Sequence, residues 1–249
     1  MISVICVYNN KKILEDCLLK SIKKQTTKVE LILLDNRERR FKSAAEALNY
    51  GGEQAKGKYL IFVHQDIILN SHLWIGKVER MLDKLPNFGV VGVAGKCKNT
   101  KLVITNIEHG IPKQAAGEIH IKKPEKVQTV DECLIIIPKT VFGILQFDEK
   151  VCSDWHLYAV DYCLSVKKLG FDSYVIPIFA YHKSLGLSMS KKYFIILKKI
   201  LKKHKNCYKM IYTTVGNWST VYPVCISRVY FWSRKRMGRL LRKTIWKVV

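Results

Sequence analysis

Residues 61–69 read IFVHQDIIL, an apolar run that is interrupted by His64, Gln65 and Asp66. The apolar side chains on both sides are typical of a strand that is buried on both faces, as the strands of parallel sheets are. An unpaired carboxylate in such a strand would carry a large free-energy penalty. The stretch therefore predicts a buried strand whose carboxyl end faces a polar site.

The segments before this stretch alternate between strand and helix patterns. Buried strands are predicted at 2–8 (ISVICVY) and 29–35 (VELILLD), and helices at 13–25 and 44–57. With a third strand at 58–69, the order is β-α-β-α-β. This order predicts an α/β fold whose central sheet is mainly parallel and flanked by helices.

Further elements are predicted in the second half of the chain. Strands are expected at 89–95 and 173–182, a strand leading into a turn or short helix at 127–142, and a helix at 157–169. Residues 98–126 lack a clean period. We expect them to form a loop that covers the site.

Composition indicates a globular protein with one strongly basic end. The chain has 249 residues, 48% of them apolar, and a formal charge of +23. Residues 191–249 hold 16 Lys or Arg and no acidic residue, whereas the first 190 residues hold 27 basic and 20 acidic residues. No apolar run is long enough to span a bilayer, and the chain opens on a strand pattern, so a cytoplasmic protein is expected. The eight cysteines include no CxxC pair, so we expect neither zinc nor disulfides.

Polar clusters end each of the first three predicted strands. They are Tyr8-Asn9-Asn10, Asp35-Asn36-Arg37 and His64-Gln65-Asp66. The carboxyl ends of parallel strands meet at one edge of the sheet, where ligands of such folds bind. The clusters could also be ordinary turns. Their convergence favours a binding site.

Several motifs together resemble a known family. In order along the chain they are ISVICVYNN, the Asp of LILLDNR, Asn49-Tyr-Gly51 before YLIFVHQD, VDECLII, FDE, WHLYAVDYC and a late YH. This series resembles the family 2 glycosyltransferases of the GT-A fold, and the WHxY variant is similar to bacterial enzymes that build surface polysaccharides. The resemblance covers about residues 1–185. It implies transfer of a sugar from a nucleotide-diphosphate sugar, with inversion.

The resemblance implies a divalent cation, Mn²⁺ or Mg²⁺. Such a cation neutralises the leaving diphosphate as a Lewis acid. The family carries Asp-x-Asp at the end of the third strand, so Asp66 takes the metal position and His64 replaces a carboxylate. His182 matches a further ligand of the metal or diphosphate.

The resemblance also implies contacts with the donor. Asp35 matches a residue that hydrogen-bonds the base, although it could simply cap a turn. The nearby Arg37, Arg39 and Arg40 could neutralise phosphate or be solvated. The full set of implied donor contacts is Tyr8, Asp35, Asn49, His64, Gln65 and Asp131.

The catalytic base departs from the family pattern. Relatives carry Glu-Asp-x-Asp at the start of a helix, and Ala159 occupies the usual base position here. Asp161 and Asp154 are the two candidates, and the choice between them stays open. Asp154 could instead be the N-cap of the helix. Trp155 and His156 are expected to contact the acceptor.

The basic end contains two amphipathic patterns, at 193–205 and 228–249. Basic amphipathic helices bind anionic bilayers, but their apolar stripes could also pack on the rest of the protein. No nucleic-acid-binding motif is present, so no nucleic-acid partner is expected. We therefore predict a glycosyltransferase domain at 1–190 and a membrane-associated helical appendage at 191–249, acting on a glycan acceptor that is lipid-linked. The alternative is a non-catalytic membrane- or nucleic-acid-binding protein on a degenerate scaffold of this family.

Overall fold

A computed structural model describes residues 1–98, 103–117, 119–184, 190–224 and 226. The elements follow the chain in this order: β1 (Ile2–Tyr8), α1 (Lys11–Leu14, continued by a π-helical turn at Glu15–Leu19 and by Lys20–Ile22), β2 (Glu30–Asp35), α2 (Ala44–Gln54), β3 (Tyr59–Val63), β4 (Ile67–Leu69), α3 (Trp74–Leu82), β5 (Phe88–Gly92), β6 (Ala94–Lys96), β7 (Ile104–Thr105), β8 (Ile107–His109), β9 (Gln114–Ala115), β10 (Glu125–Val127), β11 (Thr129–Val130), β12 (Leu134–Pro138), α4 (Lys139–Ile144), α5 (Tyr158–Lys168), β13 (Asp172–Val175), β14 (Ala180–His182), α6 (Lys191–His204), β15 (Met210–Tyr212) and β16 (Asn217–Ser219).

A seven-stranded sheet in the order β10-β13-β5-β12-β3-β1-β2 forms the centre of the fold. β1 runs parallel to β2 and β3, and β13 runs parallel to β5. β12 is antiparallel to both of its neighbours, and β10 is antiparallel to β13. Five of the seven strands therefore point the same way. The predicted mainly parallel sheet is confirmed.

Two predicted strands are each divided between two sheets. The run at 58–69 becomes β3 and β4, and the run at 173–182 becomes β13 and β14. β4 and β14 pair with each other in a second sheet, of order β4-β14-β8-β9. Pro177 lies between β13 and β14, and because it has no N–H it cannot continue a ladder of hydrogen bonds. Residues 64–66 thus form the crossing point between the two sheets.

The prediction of one loop at 98–126 is wrong for the described part of that segment. It contains β7, β8, β9 and β10. These short strands pair with β6, β14 and β13, and with one another. Their alternation was hidden because two or three residues are too few to show a period.

Helix α6 packs on the same core as the central sheet. Its apolar stripe is buried, and it joins the cluster that contains side chains of α2, α5 and the sheet. The stripe consists of Tyr193, Ile196, Leu197, Ile200 and Leu201. Of the two alternatives for this helix, the structure therefore supports packing on the protein. The second amphipathic pattern, at 228–249, lies outside the described residues.

Within the part of the chain that the structure describes, no helix is both long enough and apolar enough to cross a bilayer.

Candidate functional site

A cleft of about 950 Å³ opens at the carboxyl ends of β1, β2 and β3. Side chains from all three polar clusters line it, among them Tyr8, Asn36 and Gln65. The topology therefore brings the three strand ends together. The start of α5 and the start of α6 close the cleft with Trp155, Tyr158 and Lys192.

The charges in the cleft suit an anion. Four cationic side chains line it, and Asp66 is the only carboxylate among its described lining residues. Clustered basic side chains in a concave site raise the local concentration of anions and bind phosphate oxygens strongly. The four cations are Arg37, Arg39, Lys42 and Lys192.

His64, Asp66 and His182 form a cluster with one potential ligand atom each, all within 4.8 Å of one another. His182 Nε2 lies 3.2 Å from Asp66 Oδ1, and the two imidazole rings are 5.7 Å apart. Two imidazoles and a carboxylate are a donor set that first-row divalent metals accept, including Mn²⁺. The residues present therefore fit a bound cation.

The electrostatics of this cluster keep two of its ligands, His64 and Asp66, in their metal-binding forms. Burial and the neighbouring His182 lower the pKa of His64 to about 4, so its imidazole is neutral at pH 7. Burial alone would raise the pKa of Asp66, but the hydrogen bond and charge of His182 outweigh it and the pKa is lowered. Asp66 is therefore an anion at pH 7.

Asp35 is held by Arg37 at the end of β2. The guanidinium donates to both carboxylate oxygens, at 2.6 Å from Nη2 and 3.0 Å from Nε. These bonds, and one from the backbone N–H of Arg37, hold the pKa of Asp35 well below its usual range. Tyr8 and Arg37 line the cleft, and Asp35 is not among its described lining residues. A nucleotide base that hydrogen-bonds Asp35 therefore has to share the carboxylate oxygens with Arg37.

Two of the implied donor contacts are occupied within the protein. Gln65 lines the cleft, but its Oε1 accepts from the backbone N–H groups of Asn9 and Asn10 and its Nε2 donates to Asn9 Oδ1. Asn49 is buried, and its amide exchanges hydrogen bonds of 2.9 Å with the backbone of Phe147. Asn49 also donates to Glu149 Oε1. Asn49 therefore joins α2 to the segment before α5 and is not among the described residues that line the cleft, and its role as a donor contact stays a prediction.

The loop between β11 and β12 lies beside the His64 cluster. Asp131 Oδ1 accepts from the backbone N–H of Cys133, and its Oδ2 accepts from Thr214. Burial, followed by the charge of Asp131, raises the pKa of Glu132 to about 8. Glu132 is therefore largely protonated at pH 7. Its Oε2 is buried and has no hydrogen-bond partner among the described residues.

Asp161 faces α6 and is shielded from the cleft. It is only 2% exposed, and its carboxylate lies 2.7 Å from Lys203 Nζ and 2.8 Å from His204 Nε2. A base has to reach the hydroxyl of an acceptor. Asp161 is not among the described residues that line the cleft, and its role as a base stays a prediction.

Asp154 contacts two residues that line the cleft, Trp155 and Lys192. Its carboxylate bonds Lys192 Nζ at 2.9 Å and the backbone N–H of Trp155 at 2.8 Å. The N-cap of α5 is Leu157, in the left-handed region with φ 64°, so the alternative of Asp154 as N-cap is wrong. Although burial opposes ionisation, the bond from Lys192 lowers the pKa of Asp154. Asp154 is therefore ionised beside two residues that line the cleft.

The two implied acceptor contacts point to different surroundings. Trp155 is 38% exposed and lines the cleft. His156 contacts α6, with its ring 5.8 Å from that of Tyr193 and its Nε2 3.4 Å from Ser190 Oγ. His156 therefore supports the position of α6 and is not among the described residues that line the cleft.

Some residues of the site escaped the sequence reasoning. Tyr158 lines the cleft and contacts His64, and it occupies the place of the Glu in the motif of relatives. That position was a usable signal. No sequence signal distinguished Lys42 and Lys192, because the many lysines of a basic chain cannot be told apart before the fold is known.

Comparisons with known proteins agree with this geometry. Residues 3–210 match the model of a family described as "Glycosyltransferase like family". A curated relative, "ATP synthase subunits region ORF 6" of Fuscovulum blasticum, is 25% identical over 169 residues, which cover 62% of this chain and 63% of that protein. This chain therefore spans less than two thirds of the length of that relative.

Solved structures show the same fold. TarS of S. aureus (residues 1–349, with UDP-GlcNAc) is similar with a TM-score of 0.57 and 14% identity, over 82% of this chain and 66% of that one. The mannosyltransferase PcManGT of Pyrobaculum calidifontis, in complex with GDP-Man and Mn²⁺, gives a TM-score of 0.53 and 14% identity, over 84% and 65%. With this fold and a family model that spans most of its length, the chain belongs to the glycosyltransferase-like family and has the GT-A fold.

Proposed function

We propose that this protein transfers a sugar from a nucleotide-diphosphate sugar to a glycan acceptor, with inversion. The observation that carries the proposal is the cluster of His64, Asp66 and His182 at the edge of a cleft lined by four cations. Similar folds are known with UDP-GlcNAc and with GDP-Man and Mn²⁺. A donor's diphosphate, which carries negative charge and binds divalent cations, suits this combination.

The residues in and beside the cleft can be given separate roles in the reaction. A cation held by the cluster, most suitably Mn²⁺, would act as a Lewis acid on the diphosphate. Arg37, Arg39, Lys42 and Lys192 would bind phosphate oxygens and stabilise the leaving group. As the acceptor oxygen bonds the anomeric carbon and the bond to the diphosphate breaks, Asp154 would take the hydroxyl proton. Trp155, beside Asp154, would contact the acceptor sugar.

The acceptor is proposed to be lipid-linked, in the synthesis of a surface polysaccharide. Support comes from the outward face of α6, where Lys191, Lys198 and Lys202 are exposed next to Ile195, which is 55% exposed. Each basic residue near an anionic bilayer contributes about 1 kcal/mol of attraction. The protein would then work on the cytoplasmic face of the membrane, with α6 and the segment at 228–249 towards the lipid.

One observation favours a second candidate from another class. Ala159, at the usual base position, is fully buried, and His64 replaces the first carboxylate of the metal motif. A protein that binds the donor or a membrane without turnover would be expected to lack these two carboxylates. Binding and turnover therefore have to be measured separately.

Calorimetric titration with a panel of nucleotide sugars, with and without Mn²⁺, tests the proposal. We expect one donor to bind in a Mn²⁺-dependent way and Asp66→Ala to abolish that dependence. Asp16→Ala removes an exposed carboxylate outside the cleft and is the matched control. If no donor binds at millimolar concentration, the proposal fails.

Turnover distinguishes the enzyme from the binding protein. We expect Asp154→Asn to bind the donor as the wild type does and to transfer sugar on the order of 10²- to 10⁴-fold more slowly, the usual effect of losing a general base. Donor binding without transfer to any acceptor by the wild type would support the second candidate. Normal turnover of Asp154→Asn would remove it from the role of base.

A further inference from the structure

The hydroxyl of Tyr158 joins the loop before β12 to the metal cluster. It donates to the backbone carbonyl of Glu132 at 2.9 Å and lies 3.1 Å from His64 Nε2. Tyr158 is buried at the start of α5, and its ring packs edge-on against Phe147 at 5.7 Å. The position of the hydroxyl is therefore fixed by packing on one side and by a hydrogen bond on the other.

The single hydroxyl proton decides which nitrogen of His64 carries hydrogen. Because that proton goes to the carbonyl of Glu132, the Tyr158 oxygen is left as an acceptor for His64 Nε2. A neutral imidazole has one N–H, so it carries its hydrogen on Nε2 and its lone pair on Nδ1. Metals bind imidazole through such a lone pair, and the partner of the other nitrogen sets the tautomer.

We propose that Tyr158 is a positioning residue that holds His64 in the Nε2–H tautomer, so that Nδ1 is free to bind a divalent cation. The proposal rests on the proposed function only in taking His64, Asp66 and His182 as the cation site.

The tautomer is measured directly by nitrogen NMR of the metal-free protein labelled with ¹⁵N-histidine. We expect the His64 signals of the wild type to show a hydrogen on Nε2, and those of Tyr158→Phe to move towards the mixture of tautomers found in free imidazole. Tyr162→Phe is the matched control: Tyr162 is also buried on α5 and donates to one backbone carbonyl, that of Leu145, at 3.0 Å. A hydrogen on Nδ1 in the wild type would overturn the proposal.

Titration with Mn²⁺ alone, followed by electron paramagnetic resonance, gives a second readout. We expect Tyr158→Phe to weaken Mn²⁺ binding by about 10- to 100-fold, the usual effect of losing a partner of a metal ligand, and Tyr162→Phe to leave it unchanged. In a His64→Ala background, Tyr158→Phe should weaken Mn²⁺ binding no further. Melting temperatures show whether each variant is folded.

The outcomes separate this proposal from the proposed function. If the wild type and Tyr158→Phe bind Mn²⁺ equally well, the role of Tyr158 is refuted while the glycosyltransferase proposal stands. If the wild type binds no Mn²⁺ but does bind a nucleotide sugar, the cation site is refuted and with it the role of Tyr158. If Tyr158→Phe and Tyr162→Phe lose the same amount of Mn²⁺ affinity, the effect comes from packing and the role of Tyr158 is also refuted.

Discussion

Gln65 lies between two residues of the metal cluster, and three hydrogen bonds tie its amide to the loop after β1. Its Oε1 accepts from two backbone N–H groups, at 3.1 Å and 3.0 Å, and its Nε2 bonds Asn9 Oδ1 at 2.7 Å. The loop that carries Asn9 and Asn10 forms one wall of the cleft. The side chain therefore fixes the distance between two walls of the site.

Gln65→Ala should loosen this wall. We expect a loss of unfolding free energy of about 1 kcal/mol, since the bonds are exposed to water, together with weaker donor binding. Urea unfolding and calorimetric titration measure the two effects. Gln54→Ala is the control, because Gln54 makes one local bond to Tyr50 within α2. Equal donor affinity in both variants would contradict the role given to Gln65.

The types of these residues could be predicted, but their partners could not. Polar residues at three strand ends indicated a site because parallel strands end at one edge. The bond from Gln65 spans 56 positions, and the bonds between Asn49 and Phe147 span 98. No local sequence pattern indicates which polar side chains form their hydrogen bonds within the protein.

At the scale of elements, α5 and α6 are joined by the contacts of one buried carboxylate. Lys203 and His204 of α6 both contact Asp161 of α5, and Lys203 also contacts Asp148 at 2.9 Å. His204 is completely buried. Removing one partner of such a set leaves an uncompensated charge in the interior. Asp161 thus holds the two helices together.

Asp161→Asn should therefore change stability. We expect it to lower the free energy of unfolding by about 3 to 5 kcal/mol, the usual loss when a buried ion pair is broken. Asp172→Asn is the matched control, because Asp172 also contacts two lysines, Lys126 and Lys167, which are exposed. There we expect a loss of about 1 kcal/mol or less.

Urea unfolding measures both variants, and turnover is then measured well below the unfolding midpoint. If Asp161→Asn is as stable as the wild type but does not transfer sugar, the carboxylate acts in the reaction and its assignment to packing is wrong.

Over the whole molecule, element order was more predictable than element partners. The alternation of strand and helix patterns gave the mainly parallel sheet because periods of 2 and 3.6 residues are local properties. The division of two strands between two sheets depends on Pro177 and on pairing with β8, which lies some 70 positions away (Tyr181 with Glu108). The amphipathic stripe of α6 fits a bilayer or a protein core equally well, so only the fold could show which of the two it contacts.

The place of α6 in the core leads to a test of where the folded unit ends. Five apolar side chains of α6 are buried, and Trp218 of β16 is fully buried in the same cluster. Burying a large apolar side chain contributes about 1.5 to 3 kcal/mol, so losing these six side chains costs about as much free energy as the whole stability of an ordinary domain. We expect a chain that ends at residue 190 not to fold, and a chain that ends at residue 226 to fold and to bind the donor.

Near-ultraviolet circular dichroism and thermal melting compare the two truncated chains with the full chain. A chain ending at 190 that melts cooperatively at the wild-type temperature would show that α6 is an appendage and refute the expectation.

Sedimentation with anionic liposomes then separates packing from membrane binding, because residues 227–249 hold 8 of the 16 basic residues beyond residue 190. We expect the chain that ends at 226 to bind more weakly than the full chain, and to lose the rest of its binding in high salt because the lysines of α6 act by charge alone. Equal binding by the two chains in low salt would assign the attraction to α6 and would contradict a role for the last 23 residues.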